Sequence, residues 1–551
     1  MKSKFKKVSK LDTSFYNLLD KGLISIVLIL CIIFILYPII CLMIQSIKVD
    51  TSISFKLYEN IIEKNKRLLF NSIFVATLSG AISTILSLII ALRIHSFSSI
   101  INKLGKIILM LSMISPPFVA SLAYIQLFGR RGYITYHFLG INYDPYGIHG
   151  VIIMQVIGFI PLSALMILGV IEKVDKRLLK ASLDLGSSEN KAIISVLLPL
   201  IKPGIIVSFL LTFVRSLADF GTVTIIGGSF ETIATEIYME IIGYANFSNA
   251  AAMNFLLVLP AIIIFIPYRR NMRRLNQLSK DNELENNDDF KLLPRGGLKS
   301  LLSVFTIGFI AISLLQYGCI FLSSISKFSR GNLIFTTEYI KYIREYSMDS
   351  FIRSITYAFI AGIFGSLLGI IISYYIDRRR IIGGRSIDFI TTLPYILPGT
   401  FFGISYILAF NSFPFPLTGT AFIVVINCIF KQIPLTTKIS SAVLSQISID
   451  VEHAARDIGA SKFHVIKDII LPNAREAFLI GFVNNFISTM TTIGAIIFLI
   501  YPGKEVATVK LFDAINSGEY GVASMIAVII ILITLSINTI FTSFISRKKV
   551  G

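Results

Sequence analysis

Long uncharged apolar runs are the sequence feature that most constrains what this chain can fold into. A hydrocarbon core about 30 Å thick requires roughly 20 apolar residues in each helix that crosses it. Runs that meet this requirement begin near residues 23, 70, 105, 149, 203, 250, 300, 351, 385, 419, 475 and 520. Only 15% of the 551 residues are charged, whereas an ordinary soluble domain has about 25%. The chain is therefore predicted to be an all-α membrane protein with about 12 transmembrane helices.

The basic residues predict how these helices are oriented. The formal net charge of +19 comes from Lys and Arg in short tracts between the apolar runs, rather than from a basic patch with interleaved aromatic residues. That distribution argues against nucleic-acid binding and for a lipid bilayer as the surrounding partner. Most basic tracts fall on the side of both termini, at residues 2–10, 93–106, 269–274, 377–385 and 547–549. The positive-inside rule therefore places both termini in the cytosol.

The first apolar run and the cysteines exclude two other interpretations. The uncharged stretch at 22–47 is too long for the apolar core of a signal peptide and lacks a clear cleavage site. We expect it to remain as the first transmembrane helix. The cysteines lie inside apolar runs without Cys-x-x-Cys spacing, which excludes a disulfide framework and a zinc site. They occupy positions Cys31, Cys41, Cys319 and Cys428. No metal site is predicted.

The two halves of the chain repeat one another. Residues 68–94 align with 350–376, which places Ser72 on Ser354 and Gly80 on Gly362, and SPPF at 115–118 corresponds to LPGT at 397–400. Each half then has six helices in the same orientation, which is a parallel repeat. The predicted segments are a cytosolic tail (1–22), a first permease domain (23–268), a cytosolic linker (269–299), a second permease domain (300–546) and a cytosolic tail (547–551).

A polar helix is duplicated in the loop between the fourth and fifth crossings of each half. LKASLDLGSSENKAIISVLLPL at 179–200 aligns with VEHAARDIGASKFHVIKDIILP at 451–472. The glycine in each copy permits a tight break between two short helices, and the proline begins the next crossing where its missing N–H costs little. Small alanines would let a partner surface approach closely. The shared positions are Ala181, Asp184, Gly186, Leu198 and Pro199, on Ala454, Asp457, Gly459, Leu471 and Pro472.

This duplicated loop resembles the EAA loop of binding-protein-dependent ABC importer permeases. The second copy matches through His453, Ala454, Ala455, Gly459, Ile469, Leu471 and Pro472, with Glu452 one position before the family's glutamate. The first copy matches through Lys180, Ala181, Ser182, Gly186, Leu198 and Pro199. The resemblance implies that each loop is a coupling helix, seated in a groove of a separate ATP-binding subunit. Two identical ATPase subunits are compatible with it.

The same resemblance implies the partners and the cellular location. The sequence contains no Gly-x-x-x-x-Gly-Lys-Ser/Thr phosphate loop, so ATP and Mg²⁺ would be bound by the partner ATPase, and this chain would carry no cofactor and would not be an enzyme. An extracytoplasmic substrate-binding protein would deliver the cargo. The chain would lie in the inner (plasma) membrane of a bacterium.

A second motif suggests the cargo. SLADFGTVTIIGG at 216–228 resembles the Leu-Ala-Asp-Phe-Gly-Thr segment of ferric-iron permeases, and permeases for thiamine or a phosphonate remain the alternatives. Arg215 and Asp219 are four residues apart and are expected on one face of the fifth crossing, where ionisable groups usually mark an interior pathway. We predict that Arg215, Asp219, Gly221 and, in the second half, Gly494 line the translocation path.

Two other classes fit the sequence less well. A secondary transporter of the major facilitator type also has two six-helix halves, and IDRRRIIGGR at 376–385 is similar to one of its cytosolic loops, but the spacing differs and the duplicated helix has no place in that fold. A membrane enzyme would need clustered nucleophiles, paired carboxylates or metal ligands. The outer loop at 128–150 carries candidate oxygen and imidazole ligands in no fixed motif, so docking of the binding protein is its expected role. These ligands are His137, Tyr143, Asp144, Tyr146 and His149.

Overall fold

The computed structural model describes residues 10–49, 52–53, 56–97, 100–280, 290–329 and 332–546. Residues 1–9 of the predicted amino-terminal tail, 281–289 of the predicted linker and the whole predicted carboxy-terminal tail lie outside the described residues. The described chain is almost entirely helical, with two short antiparallel hairpins: Lys48–Val49 (β1) with Ser52–Ile53 (β2), and Ser326–Ser329 (β3) with Asn332–Phe335 (β4). The predicted all-α class is confirmed.

Helices of the first half run up to the linker. They are Lys10–Cys31 (α1), Tyr37–Ser46 (α2), Lys56–Ser96 (α3), Ile100–Ile114 (α4), Phe118–Phe128 (α5), Ile148–Ile171 (α6), Lys176–Asp184 (α7), Glu189–Ala192 (α8), Leu198–Leu217 (α9), Gly221–Ile226 (α10), Ile233–Ile242 (α11) and Phe247–Lys280 (α12). Single π-helical turns cover Ile32–Leu36, Tyr133–Phe138 and Ile193–Leu197.

Helices of the second half follow the same order. They are Gly296–Ile325 (α13), Glu338–Tyr346 (α14), Met348–Ser373 (α15), Gly384–Ile396 (α16), Gly399–Phe410 (α17), Ala421–Leu444 (α18), Ile449–Asp457 (α19), Lys462–His464 (α20), Leu471–Asn473 (α21), Arg475–Thr491 (α22), Ala507–Asn516 (α23) and Tyr520–Ser546 (α24). Further π-helical turns cover Tyr374–Arg378 and Val465–Ile470.

Among the described residues, nine helices are long and apolar enough to cross a membrane, or eleven if each of two bent helix pairs is one span. The bent pairs are α4 with α5, at 107°, and α16 with α17, at 113°. They correspond to the crossings predicted near residues 105 and 385, and each bend falls at the proline-containing SPPF or LPGT segment. The one remaining predicted run, near residue 475, forms α22, which is only 17 residues long because a turn at Ala474 separates it from α21.

The matched residues of the two halves make matched contacts. Ser72 Oγ accepts a hydrogen bond from the backbone N–H of Ile233, the first residue of α11, at 2.9 Å. Ser354 Oγ accepts one from Ala507, the first residue of α23, at 2.8 Å. Each serine therefore satisfies a backbone donor that the start of a helix leaves without an intrahelical partner. The repeat predicted from sequence is thus a structural repeat.

The chain divides into two compact units that do not follow the predicted boundaries 23–268 and 300–546. The N-proximal unit comprises Ser46–Met348 and Thr508–Ile531, and the C-proximal unit comprises Met1–Gln45, Asp349–Ala507 and Leu532–Gly551. The first transmembrane helix thus groups with the second half of the sequence, and α13 groups with the first half.

Specific side chains hold the first helix in the C-proximal unit. Buried Asp20 accepts a hydrogen bond from Arg379 at 2.6 Å and another from the Tyr375 hydroxyl at 3.1 Å. Further along, the Tyr406 hydroxyl donates to the backbone oxygen of Phe34 at 2.6 Å. Apolar periodicity does not encode such long-range pairs, which is why the sequence does not predict this grouping.

We predict that Asp20→Ala lowers the free energy of unfolding by about 3–5 kcal/mol, because it leaves the largely buried Arg379 without its counter-ion. The measurement is the thermal midpoint of the purified protein in detergent. Asp388→Ala is the matched control, since its ion pair with Lys438 is largely exposed and should contribute at most about 1 kcal/mol. Equal shifts in the two variants would contradict the structural role assigned to Asp20.

Candidate functional site

The first duplicated loop, residues 175–199, is a helix, a glycine turn and a second short helix. Asp175 caps α7 by accepting the Arg177 N–H at 2.9 Å, and hydrogen bonds from the Arg177 side chain and backbone hold the pKa of this carboxyl below its usual value. Gly186 follows with a φ of +84°, a conformation that side chains disfavour. Ser188 then caps α8, and a π-helical turn leads into α9 at Leu198 and Pro199.

The second duplicated loop, residues 448–472, repeats this geometry. Ser448 caps α19, Gly459 has a φ of +95°, and Ser461 caps α20. A π-helical turn again precedes the Leu471-Pro472 pair. The glycine break predicted from sequence therefore forms in both loops, and the cap and the π-helical turn are shared features that the sequence analysis does not identify.

Each loop exposes an apolar stripe on the helix that precedes its glycine. In α7 the stripe consists of Leu178 (49% exposed), Ala181 and, just past the helix end, Leu185 (89% exposed). In α19 it consists of Val451 (46% exposed), Ala454 and Ile458 (66% exposed). The spacing i, i+3, i+7 places each set on one helix face, and a row of exposed apolar side chains is typical of a surface that a partner covers.

The other predicted loop residues divide between the surface and the interior. Surface positions are Asp184, Pro199, His453, Asp457 and Pro472, and half-buried positions are Lys180, Ser182, Leu198, Ile469 and Leu471. Glu452 and Ala455 are instead buried at 5% and 9% exposure. The expectation that both Ala454 and Ala455 meet a partner surface is therefore wrong for Ala455, because it lies one residue further around α19 and packs into the apolar cluster beneath.

The segment 290–295 lies against the first loop. Glu189 pairs with Arg295 at 3.1 Å and accepts the Leu293 N–H. The Asn190 side chain accepts a hydrogen bond from the Arg295 backbone N–H at 2.9 Å and donates one to the Arg295 backbone oxygen at 3.0 Å. Leu292 is 2% exposed within the surrounding apolar cluster. The carboxy-terminal end of the predicted linker is therefore an ordered part of the first loop.

The predicted path residues of the first half lie at a break in the fifth crossing. Helix α9 ends at Leu217, so Asp219 lies beyond the helix that carries the exposed Arg215, and the predicted arrangement of both residues on one helix face does not form. Asp219 instead accepts hydrogen bonds from the Thr222 N–H at 3.0 Å and from Gln155 Nε2 at 3.1 Å. The carboxylate thereby caps α10 after the break.

Close packing explains both predicted path glycines, against a side-chain ring at Gly221 and against backbone at Gly494. A Cβ built on Gly221 would lie 2.1 Å from Cε1 of Phe118, at the start of α5. In the C-proximal unit, Gly494 lies against Gly399 at the start of α17, where a Cβ on Gly399 would be 3.3 Å from the Gly494 carbonyl carbon. In each unit, the chain segment that follows the fifth crossing of the repeat therefore packs against the bent helix pair, at the start of its second helix.

The loop at 128–150 in the N-proximal unit borders a cavity of about 840 Å³. Arg131, Tyr146, Lys327, Glu338 and Glu519 are among its lining residues. Asp144 pairs with Arg130 at 3.5 Å, and the Tyr143 and His149 rings are 6.2 Å apart. Within the part of the chain that the structure describes, no group of three or more His, Cys, Asp or Glu side chains could hold a metal ion.

The sequence patterns did not point to three polar residues with specific contacts, of which Gln155 and Lys431 lie inside apolar runs and Arg378 lies in the basic tract 377–385. Gln155 joins Asp219 to the Ser216 hydroxyl. Lys431 donates to the carbonyls of Pro394 and Leu397, at 2.7 and 2.6 Å, where α16 ends at the bend. Arg378 lies beside the second duplicated loop. For Gln155 and Lys431, the available signal was an isolated polar side chain in an apolar run, because such residues are costly in a membrane.

We predict that Gly221→Ala destabilises the protein by about 1–3 kcal/mol, because the added methyl group overlaps the Phe118 ring. The thermal midpoint in detergent reports the loss. Adding Phe118→Leu should recover part of it, whereas Gly158→Ala, with open space around its Cβ, should not lower the midpoint. An unchanged midpoint for Gly221→Ala would contradict the close packing.

Comparison with known proteins places this architecture in a family. The family model for the binding-protein-dependent transport system inner membrane component matches residues 83–277 and 361–548, one match in each half. The ferric transport system permease protein FbpB of Actinobacillus pleuropneumoniae is 28% identical over 96% of this chain and 78% of its own length.

Two further relatives support the same assignment. The putative ferric transport system permease protein FbpB 1 of Haemophilus influenzae is 31% identical over 79% of this chain and 70% of its own length. The sulfate transport system permease protein CysT of Salmonella typhimurium is 27% identical over 35% of this chain and 76% of its own length. The matches in both halves, together with the duplicated loop, show that this chain belongs to the family of binding-protein-dependent transport system inner membrane components.

Proposed function

We propose that this chain is the fused double permease of an ABC importer for ferric iron in a bacterial inner membrane. The cargo assignment rests on how much of this chain each relative matches. The relative named for ferric transport aligns with 96% of the chain, whereas relatives named for sulfate and 2-aminoethylphosphonate transport align with 35% and 42%. The ADFG segment at 218–221 supports the same cargo.

The two duplicated loops are the docking sites for the ATPase. Each presents an exposed apolar stripe that ends at a glycine turn. The first loop continues into α9 at its Leu-Pro pair, and the second reaches α22 through α21 and the turn at Ala474. A rigid connection of this kind can transmit a displacement, because packed elements move as bodies. ATP and Mg²⁺ bind to the partner subunits, and two identical ATPases meet two loops of similar backbone geometry. Both loops, and with them both termini, face the cytosol.

The translocation path involves the breaks after the fifth crossing of each repeat. Asp219 offers a carboxylate at the break in the N-proximal unit, and Gly221 and Gly494 allow close backbone packing at the corresponding places. Arg215 is exposed one turn before the end of α9. The external binding protein docks on the outer loop at 128–150 and holds the cargo tightly, so that the membrane path needs only weak contacts.

We predict that Leu185→Asp or Ile458→Asp weakens ATPase association by about tenfold or more, because a charge replaces the most exposed apolar side chain of the stripe. Co-purification of the ATPase with the full chain measures the effect. Ile382→Asp is the control, since Ile382 is a fully exposed apolar residue outside both loops. Undiminished association of both loop variants would argue against the docking assignment.

The cargo is tested by ATP-dependent uptake of radioactive ferric iron. Vesicles would contain this chain, its ATPase and its binding protein, and matched vesicles would lack this chain. We expect uptake that requires the chain and ATP, with competing sulfate, thiamine and 2-aminoethylphosphonate without effect. Chain-dependent uptake of one of those compounds instead of iron would overturn the cargo assignment and retain the transporter class.

A further inference from the structure

Arg378 joins the second duplicated loop to two transmembrane helices. It lies at the end of the π-helical turn that follows α15, and its side chain is 7% exposed. Its guanidinium pairs with Glu452 of α19, whose side chain is also 7% exposed. It donates further hydrogen bonds to the backbone oxygens of Leu444, at 2.6 Å, and Ser448, at 2.8 Å, where α18 ends and α19 begins. One side chain thus bridges α15, α18 and the loop helix.

The first loop is held differently at the same place in the repeat. Leu179 occupies the position equivalent to Glu452, and it is 5% exposed within an apolar cluster. Ser96 occupies the position equivalent to Arg378 when the alignment of 68–94 with 350–376 is extended. Contacts with the segment 290–295 add to this apolar anchor. The two loops therefore share a backbone shape and differ in the chemistry that attaches them to the membrane helices.

The difference has a physical consequence. A buried ion pair is often no more stabilising than an apolar pair of the same volume, so stability alone does not explain why the second loop has an ion pair where the first has leucine. The ion pair additionally fixes the relative orientation of the helices that it joins. Hydrogen bonds to charged groups are short and angle-dependent, and the planar guanidinium fixes several acceptors in one geometry. Apolar packing of a leucine limits the distance between helices but restricts the angle between them less.

We propose that Arg378, through Glu452, is a positioning residue that sets the angle between the second coupling helix and α15 and α18, so that movement of this loop reorients both helices. The inference rests on the proposed function, because it assumes that the loop receives its movement from a docked ATPase. The second loop then transmits a defined reorientation to the membrane helices, whereas the first loop is attached to them by apolar contacts and is supported by the linker.

The test measures ferric iron imported per ATP hydrolysed by the reconstituted importer of full chain, ATPase and binding protein. Arg378→Gln should lower this ratio by about tenfold, within the range by which residues on a coupling route act. Arg378→Met combined with Glu452→Leu replaces the ion pair by apolar packing of the kind that holds Leu179 in the first loop, so the protein should accumulate normally while the ratio stays low. Arg378→Lys keeps the positive charge but loses the planar guanidinium with its several donors, so it should recover only part of the normal ratio. Lys438→Gln, which removes an exposed ion pair from the same helix α18, is the control and should keep the normal ratio.

Each outcome decides the inference. A wild-type ratio in Arg378→Gln or in the Met/Leu double variant would overturn it, because packing alone would then suffice. If Arg378→Gln fails to accumulate, the double variant replaces it as the test. Glu452→Gln, which removes only the charge, is a second replacement, and its ratio is expected to lie between those of wild type and the double variant. If the unaltered chain binds no ATPase, the proposed function fails; if it binds ATPase and the ratios remain normal, only the positioning role fails.

Discussion

Backbone polar groups that enter hydrocarbon need partners within the protein, and most of this structure follows from that constraint. Unbroken helices satisfy it internally. A break in a helix leaves backbone groups without partners, and at two of the breaks in this chain one side chain forms hydrogen bonds with them. Lys431 donates to the carbonyls of Pro394 and Leu397 at the bend between α16 and α17. Asp219 accepts the Thr222 N–H where the fifth crossing restarts. Irregular backbone at membrane depth is expected only where it is buried or lines a cavity, which is why these breaks are candidate path positions.

The two repeats satisfy similar requirements with different residues. Asp219 corresponds to Thr492 in the second repeat, and Leu179 corresponds to Glu452. The serines that cap α11 and α23 and the glycine turns of the two loops are retained. Backbone geometry is therefore common to both halves, while charge is not. A fused chain can hold this difference permanently, because the two halves are covalently joined and are never exchanged for copies of one another.

The proposed ATPase contact lies on the loops rather than on the membrane helices, and this placement would have a mechanical advantage. The exposed stripes are short and apolar, so they can be covered fully by a partner groove. The turns of Gly186 and Gly459 are open, since a Cβ added at either glycine would have no neighbouring atom within 4 Å. A partner can thus approach the turn without displacing this chain. Behind the stripes, Leu179 and Glu452 face inward and join the loops to the membrane core.

The sequence by itself determined the helical class, the repeat and the position of both loops, because each depends on local pattern: apolar runs, a glycine at a turn and a proline at a helix start. Only the tertiary structure decided which helices group together and what the charged residues do. Asp20 meets Arg379 across several hundred residues, whereas Arg215 and Asp219, only four apart, are separated by the end of α9. Periodicity specifies which face of a helix is apolar, but it carries no information about the partner of a buried charge. That choice depends on which distant segment supplies a counter-charge in the folded chain.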